Sequence, residues 1–240
     1  MTLQNNQYLE SSRGILYSYL ICLPLLILYE VLILLTQPDA DYMIRISVDL
    51  WFKSLFSHLG LNAISATLYA AALFGAIIIY QKRKQLKYIK KKYFGYMLAE
   101  SLIYAIFVSL FISVFLTFLL NLSGNAPITE LSKPQLIALS LGAGLYEELF
   151  FRVILVSLLL YIFQKIFTSY NTSFIFAATI ASLIFSGVHY IGEFGDFFTF
   201  SSFLFRFLFG LALNVIYVKR GFGIAAWTHA IYDLIVVINL

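Results

Sequence analysis

The chain has 240 residues, 61% of them hydrophobic and 12% charged, with a formal net charge of +4. Soluble domains carry about 25% charged residues, so this composition excludes a water-soluble core. One cysteine, Cys22, excludes an internal disulfide framework and a thiolate metal cluster; it lies in an apolar run and reads as buried packing.

The polar N-terminus is followed by an apolar run with no small-residue cleavage site after it, so that run reads as a retained span. Seven apolar runs of bilayer-spanning length follow one another, at about 14–36, 63–80, 96–120, 136–162, 174–191, 198–217 and 223–240. Barrel strands would alternate instead. The fold class expected is therefore all-α, a polytopic transmembrane bundle of seven to eight spans. Residues 42–61 mix apolar and charged positions and read as an interfacial amphipathic helix or half of an eighth span. Breakers mark loops at Gln37-Pro38-Asp39, Ser123-Gly124-Asn125-Ala126-Pro127 and Tyr170-Asn171-Thr172-Ser173. The chain divides into an N-terminal helical part with its basic loop, 1–130, and a second part, 131–240, that holds the candidate chemistry.

Seven basic residues (Lys82, Arg83, Lys84, Lys87, Lys90, Lys91, Lys92) share one short loop. They read as a topology signal at an anionic leaflet. With that loop inside, 11 loop cations fall on its side and 3 (Arg45, Lys53, Lys133) on the other. This bias predicts a multi-pass protein of the cell membrane with a cytoplasmic N-terminus. Nothing beyond this patch suggests nucleic acid, so the bilayer is the partner expected of it. The Phe-, Ile- and Lys-rich composition and short loops look bacterial.

Ionisable groups at mid-membrane are costly and call for partners or a purpose. Glu147, Glu148 and Arg152 sit in the fourth span, His189 ends the fifth, and His229 and Asp233 lie in the seventh. Glu148 and Arg152 are four apart and share a helix face, as do Phe185 and His189, and His229 and Asp233. On that spacing Asp233 holds the His229 imidazole. Glu147 is turned about 100° from Glu148, which separates a catalytic acid from a structural one braced by Arg152. Ala138/Gly142 and Ser140/Gly144 are small-residue pairs that admit a neighbouring helix. At about 1.5 Å per residue, Glu147, His229 and Asp233 coincide near the midplane, with His189 several ångströms nearer the outer face. Two imidazoles and a carboxylate without a Cys or Ser nucleophile suit an activated water. Glu147 serves as its base, or Glu147, His189 and His229 ligate a catalytic zinc that activates the same water. Elsewhere, Glu30 and Arg206 are expected to form a structural ion pair, Glu100 to reach water, and His58, Glu193 and Asp196 to be solvated.

These residues resemble the CAAX protease and bacteriocin-processing (Abi) family of intramembrane peptidases. The EExxxR motif is similar to Glu147-Glu148-Leu-Phe-Phe-Arg152, FxxxH to Phe185-Ser-Gly-Val-His189, and HxxxN/D to His229-Ala-Ile-Tyr-Asp233, over about residues 136–236. The resemblance implies that Glu147 and His189 activate water and that His229 with Asp233 stabilises the oxyanion. Glu148 and Arg152 would brace the helix. It leaves open a glutamate-only mechanism or zinc. The function expected is an intramembrane endopeptidase acting on a membrane-associated protein or peptide. The alternatives are an inactive scaffold with the same bundle and, third, a proton-coupled transporter.

Overall fold

The computed structural model describes residues 2–37, 44–60, 63–120, 131–192 and 195–239. The breakers at Pro38-Asp39 and 123–127, and Glu193, lie outside them. Among the described residues the chain is helical, without strands.

A short polar helix, α1 (Thr2–Arg13), precedes α2 (Ile15–Thr36), the first long apolar helix. Then come α3 (Ser47–His58), α4 (Ala63–Gln81), the single turn α5 (Arg83–Leu86) in the basic loop, and α6 (Lys92–Leu120). The chain then runs as one continuous helical rod from α7 (Lys133–Gly142) through two π-helical stretches, Ala143–Glu147 and Leu149–Val156, into α8 (Ser157–Phe163). It finishes with α9 (Tyr170–Val188), α10 (Phe200–Arg220) and α11 (Phe222–Ile238). All seven expected spans are present as helices. Four are long and apolar enough to cross a membrane (Ile15–Thr36, Lys92–Thr117, Tyr170–Val188, Phe200–Arg220), and Ala66–Gln81 and Phe222–Ile238 are shorter apolar ones.

At 12 residues α3 is about 18 Å long, short of a core of about 30 Å, as suits the interfacial helix or half-span expected there. Other expectations need correction. Residues 170–173 are not a loop: Ser169 caps α9 by accepting the Thr172 amide, so these polar residues form its first turn. Glu30 does not meet Arg206. It pairs with Arg45 (3.0 Å) and Lys53 (2.8 Å), while Arg206 pairs with Asp196, which is therefore more than a solvated loop acid. Glu100 likewise has protein partners: Arg220 at 2.5 Å and the Tyr8 and Tyr104 hydroxyls at 2.6 and 2.9 Å. That cluster ties the unforeseen α1 to α6 and to the end of α10. His58 is exposed, as expected, and Cys22 is buried.

The short α11 is the hub. It packs on α2, α6, α7, α10 and both π-helical stretches. Its Gly223, Ala225, Ala226 and Ala230 let backbones approach closely, which drives association where lipid tails give no hydrophobic contrast. A Cβ on Gly144 would lie 2.5 Å from the Ala226 carbonyl oxygen, and one on Gly142 would strike the Tyr29 ring at 2.5 Å. The α10–α11 turn needs Gly221, whose φ is +89° and whose Cβ would meet the Arg13 carbonyl oxygen at 2.8 Å. The buried apolar cluster draws on both halves of the chain, from Tyr17 to Ala230.

Gly144→Ala should therefore lower the thermal unfolding midpoint in detergent, at a cost of about 1–3 kcal/mol from overpacking. Gly95→Ala, where nothing lies within 4 Å, should leave it unchanged or slightly higher.

Candidate active site

Glu147 closes the first π-helical stretch. A π turn takes one residue more than an α turn, is rare, and often marks a functional position. The adjacent acids go to different partners. Glu148 is fully buried; its Oε1 lies 2.9 Å from Arg152 Nη1 and 2.8 Å from His229 Nδ1. An ionised carboxylate only accepts, so Nδ1 carries a proton and donates it to Glu148. The Arg152 guanidinium also stacks on Phe185, 4.5 Å from the ring centre.

His189 caps the C-terminus of α9, and its Nδ1 donates to the Phe185 carbonyl at 2.7 Å. Both imidazoles therefore use Nδ1 for the scaffold and keep Nε2 for the site. The two Nε2 atoms converge on one oxygen: Glu147 Oε2 lies 3.9 Å from His189 and 4.0 Å from His229. That oxygen is buried and makes no hydrogen bond to protein. The depth offset expected for His189 does not keep it away. Phe185 packs edge-on to both rings, at 5.0 and 5.9 Å, and so joins the two histidines to Arg152.

Asp233 Oδ2 is 3.6 Å from His229 Nε2, an ion-pair contact longer than a hydrogen bond, and the other side of the ring is held by Glu148. The i,i+4 spacing brings Asp233 to the reactive face of His229 rather than to its supporting face. Side-chain exposure rises from Glu148 (0%) and Arg152 (1%) through His229 (5%) and Glu147 (12%) to His189 (24%) and Asp233 (27%). The site thus opens beside His189 and Asp233.

Two ligands about 2.0–2.1 Å from a tetrahedral zinc would sit about 3.3 Å apart. The separations of 3.9 and 4.0 Å are wider, and among the described residues no three His, Cys, Asp or Glu side chains close into a metal-holding group. Glu147, His189 and His229 are donor types that zinc accepts, and to hold one they would draw together by about 0.6 Å; no step is derived through it. A water about 2.8 Å from each atom bridges such gaps.

Sequence reasoning missed the residues that hold the mouth. Phe209 packs on His229 at 5.4 Å and on Tyr232 at 4.5 Å. The Asp196 amide donates to the His189 carbonyl at 2.8 Å, and Arg206 bonds Asp196 and the Tyr190 hydroxyl. In the sequence Tyr190, Phe209 and Tyr232 are ordinary aromatics and Asp196 a loop charge, while Arg206 stands out inside the sixth apolar run but without a spacing that names Asp196 as its partner.

Fold and site define a polytopic helical membrane protein whose spans bring an acid and two imidazoles together at a partly exposed site. Within that class, the family model described as Type II CAAX prenyl endopeptidase Rce1-like matches residues 129–235. The matched stretch contains all three motifs that resemble the CAAX protease family. No curated protein and no solved structure matches the chain.

Glu148→Gln should leave Arg152 buried without its counter-ion and cost about 3–5 kcal/mol, read as a large drop in unfolding midpoint. Glu148→Gln combined with Arg152→Met should recover most of that loss.

Proposed function

We propose that the protein is an intramembrane endopeptidase in which Glu147 activates a water against a peptide bond of a membrane-associated protein or peptide, with residues 131–240 as the catalytic part. The observation that carries this reading is the convergence of both Nε2 atoms on the one buried Glu147 oxygen that has no protein partner. A water there gives one proton to Glu147 while its oxygen attacks the carbonyl carbon. The deprotonated Nε2 of His189 accepts its second hydrogen bond and orients it. The carbonyl π pair becomes an oxyanion beside His229. For Nε2 of that ring to donate to it, the imidazole must carry both protons, and Glu148 and Asp233 flank it with the charge that suits an imidazolium. Collapse breaks the C–N bond, and Glu147 returns its proton to the leaving amine. Desolvation by the bundle strengthens each of these interactions.

The family description names a prenyl endopeptidase, which makes a prenylated C-terminal peptide one probe, beside unprenylated membrane-protein tails and leader peptides. With the cleaved member of that panel as substrate, Glu147→Gln should lose at least about 100-fold in kcat with normal insertion and expression. Wild-type activity should persist after treatment with a zinc chelator. Full cleavage by Glu147→Gln would remove Glu147 as the base, a wild type that cleaves no member of the panel would point to an inactive scaffold, and chelator-sensitive cleavage restored by zinc would replace the metal-free mechanism.

Asp233→Asn, which keeps a polar group beside His229 and adds an amide donor, should retain activity within about 10-fold, whereas Asp233→Leu should lose more than that. Equal loss in both would mean that the charge at 233 is itself required.

A further inference from the structure

The catalytic reading leaves unused a second set of buried charges. Glu30 of α2 meets Arg45, Asp49 and Lys53 from α3 and its approach. Arg45 Nη1 is 3.0 Å from both Glu30 Oε2 and Asp49 Oδ2; Lys53 is 2.8 Å from Glu30 Oε1 and also bonds Asp49. All four are buried, and two anions cancel two cations. Stability alone is a weak reason to keep such a group, because apolar residues of similar volume often do as well or better. What charges add is orientation, and here they orient two tyrosines. The Tyr29 hydroxyl donates to Asp49 at 2.7 Å, and the Tyr146 hydroxyl donates to Glu30 at 3.3 Å.

Tyr146 directly precedes Glu147, inside the same five-residue π turn. Its ring is gripped on several sides: Lys53 lies 5.3 Å over it, Tyr29 meets it edge-on at 5.5 Å, and Phe52 of α3 is 6.3 Å away. Farther along, Trp51 and Phe52 pack on Phe150 at 5.4 and 6.5 Å. A π turn is a poor default for a helix, so something outside the backbone must hold it. If this turn relaxed to α-helical spacing, about 100° per residue, the side chains at 146 and 147 would turn together, and Glu147 would leave the imidazoles.

We infer that the Glu30–Arg45–Asp49–Lys53 cluster is a positioning device for Glu147, acting through Tyr146, so that the docking of amphipathic α3 fixes the register of the catalytic π turn. The inference rests on the peptidase reading for its kinetic consequence, but not for its structural one.

The test uses the full chain in lipid nanodiscs and reads both cleavage kinetics and amide hydrogen exchange. Tyr146→Phe removes one hydroxyl. Asp49→Asn with Lys53→Met removes one charge of each sign and so leaves no unbalanced ion. Tyr104→Phe is the control, because its hydroxyl also bonds a carboxylate, Glu100, in the cluster remote from Glu147. Expected are kcat losses of about 10-fold for Tyr146→Phe and about 100-fold for the double variant. KM should stay unchanged, exchange should accelerate across residues 143–149, and α10 should exchange as before. Tyr104→Phe should change neither reading at 143–149. Unchanged exchange there, or acceleration spread evenly through the bundle with activity falling only as folded protein is lost, would overturn the inference. If wild-type cleaves nothing, the peptidase reading fails by itself; local acceleration at 143–149 then still upholds the positioning role, and its absence still overturns it.

Discussion

A carboxylate with no exposed surface joins the elements of the site. Through one oxygen Glu148 meets Arg152 on its own helix and His229 on α11. The first contact supplies the counter-charge that lets a carboxylate lie in an apolar bundle. The second fixes the tautomer and plane of the imidazole, as a supporting acid does for many catalytic histidines. With Nδ1 committed, Nε2 can only face Glu147 and Asp233. Without this link α11 would still pack through its small residues, but its histidine would be free to turn.

The division of labour between adjacent acids depends on that link. Glu147 and Glu148 are neighbours in sequence with separate surroundings. One is enclosed between Arg152 and His229, while the other lies toward the partly open side, facing the two imidazole Nε2 atoms. The same contrast holds for the two polar clusters. The Glu30 set is closed, neutral and internally bonded, which suits a brace. The Glu147 set is underbonded at its centre, which suits chemistry.

Much of this was legible in the sequence because lipid imposes simple rules. Long apolar runs must be helices, which located all seven spans, and an ionisable residue inside one needs a reason, which singled out Glu147, Glu148, Arg152, His189, His229 and Asp233. Spacing by four paired Glu148 with Arg152 and Phe185 with His189 correctly. It paired His229 with Asp233 in proximity but on the wrong side of the ring, because sequence spacing gives a face and not the nitrogen that is used. The π turns escaped notice since an apolar run looks alike in α and π geometry. Depth alone pairs Glu30 with Arg206, whereas its partners are Arg45, just before α3, and Lys53 within it, charges that in the sequence read as outer-loop topology signals. The hold of Arg206 on the loop after His189 depends on how residues 195–206 fold back, which no local pattern records.

The central claim is that Glu148 holds His229 through a proton on Nδ1. Solid-state NMR of 15N-histidine-labelled protein in lipid, with His229 assigned by its loss in His229→Gln, measures this directly. The account predicts a protonated Nδ1 whose shift shows a strong hydrogen bond that weakens in Glu148→Gln. A bare Nδ1 with the proton on Nε2 alone would contradict it, because the nitrogen facing Glu148 would then have nothing to donate.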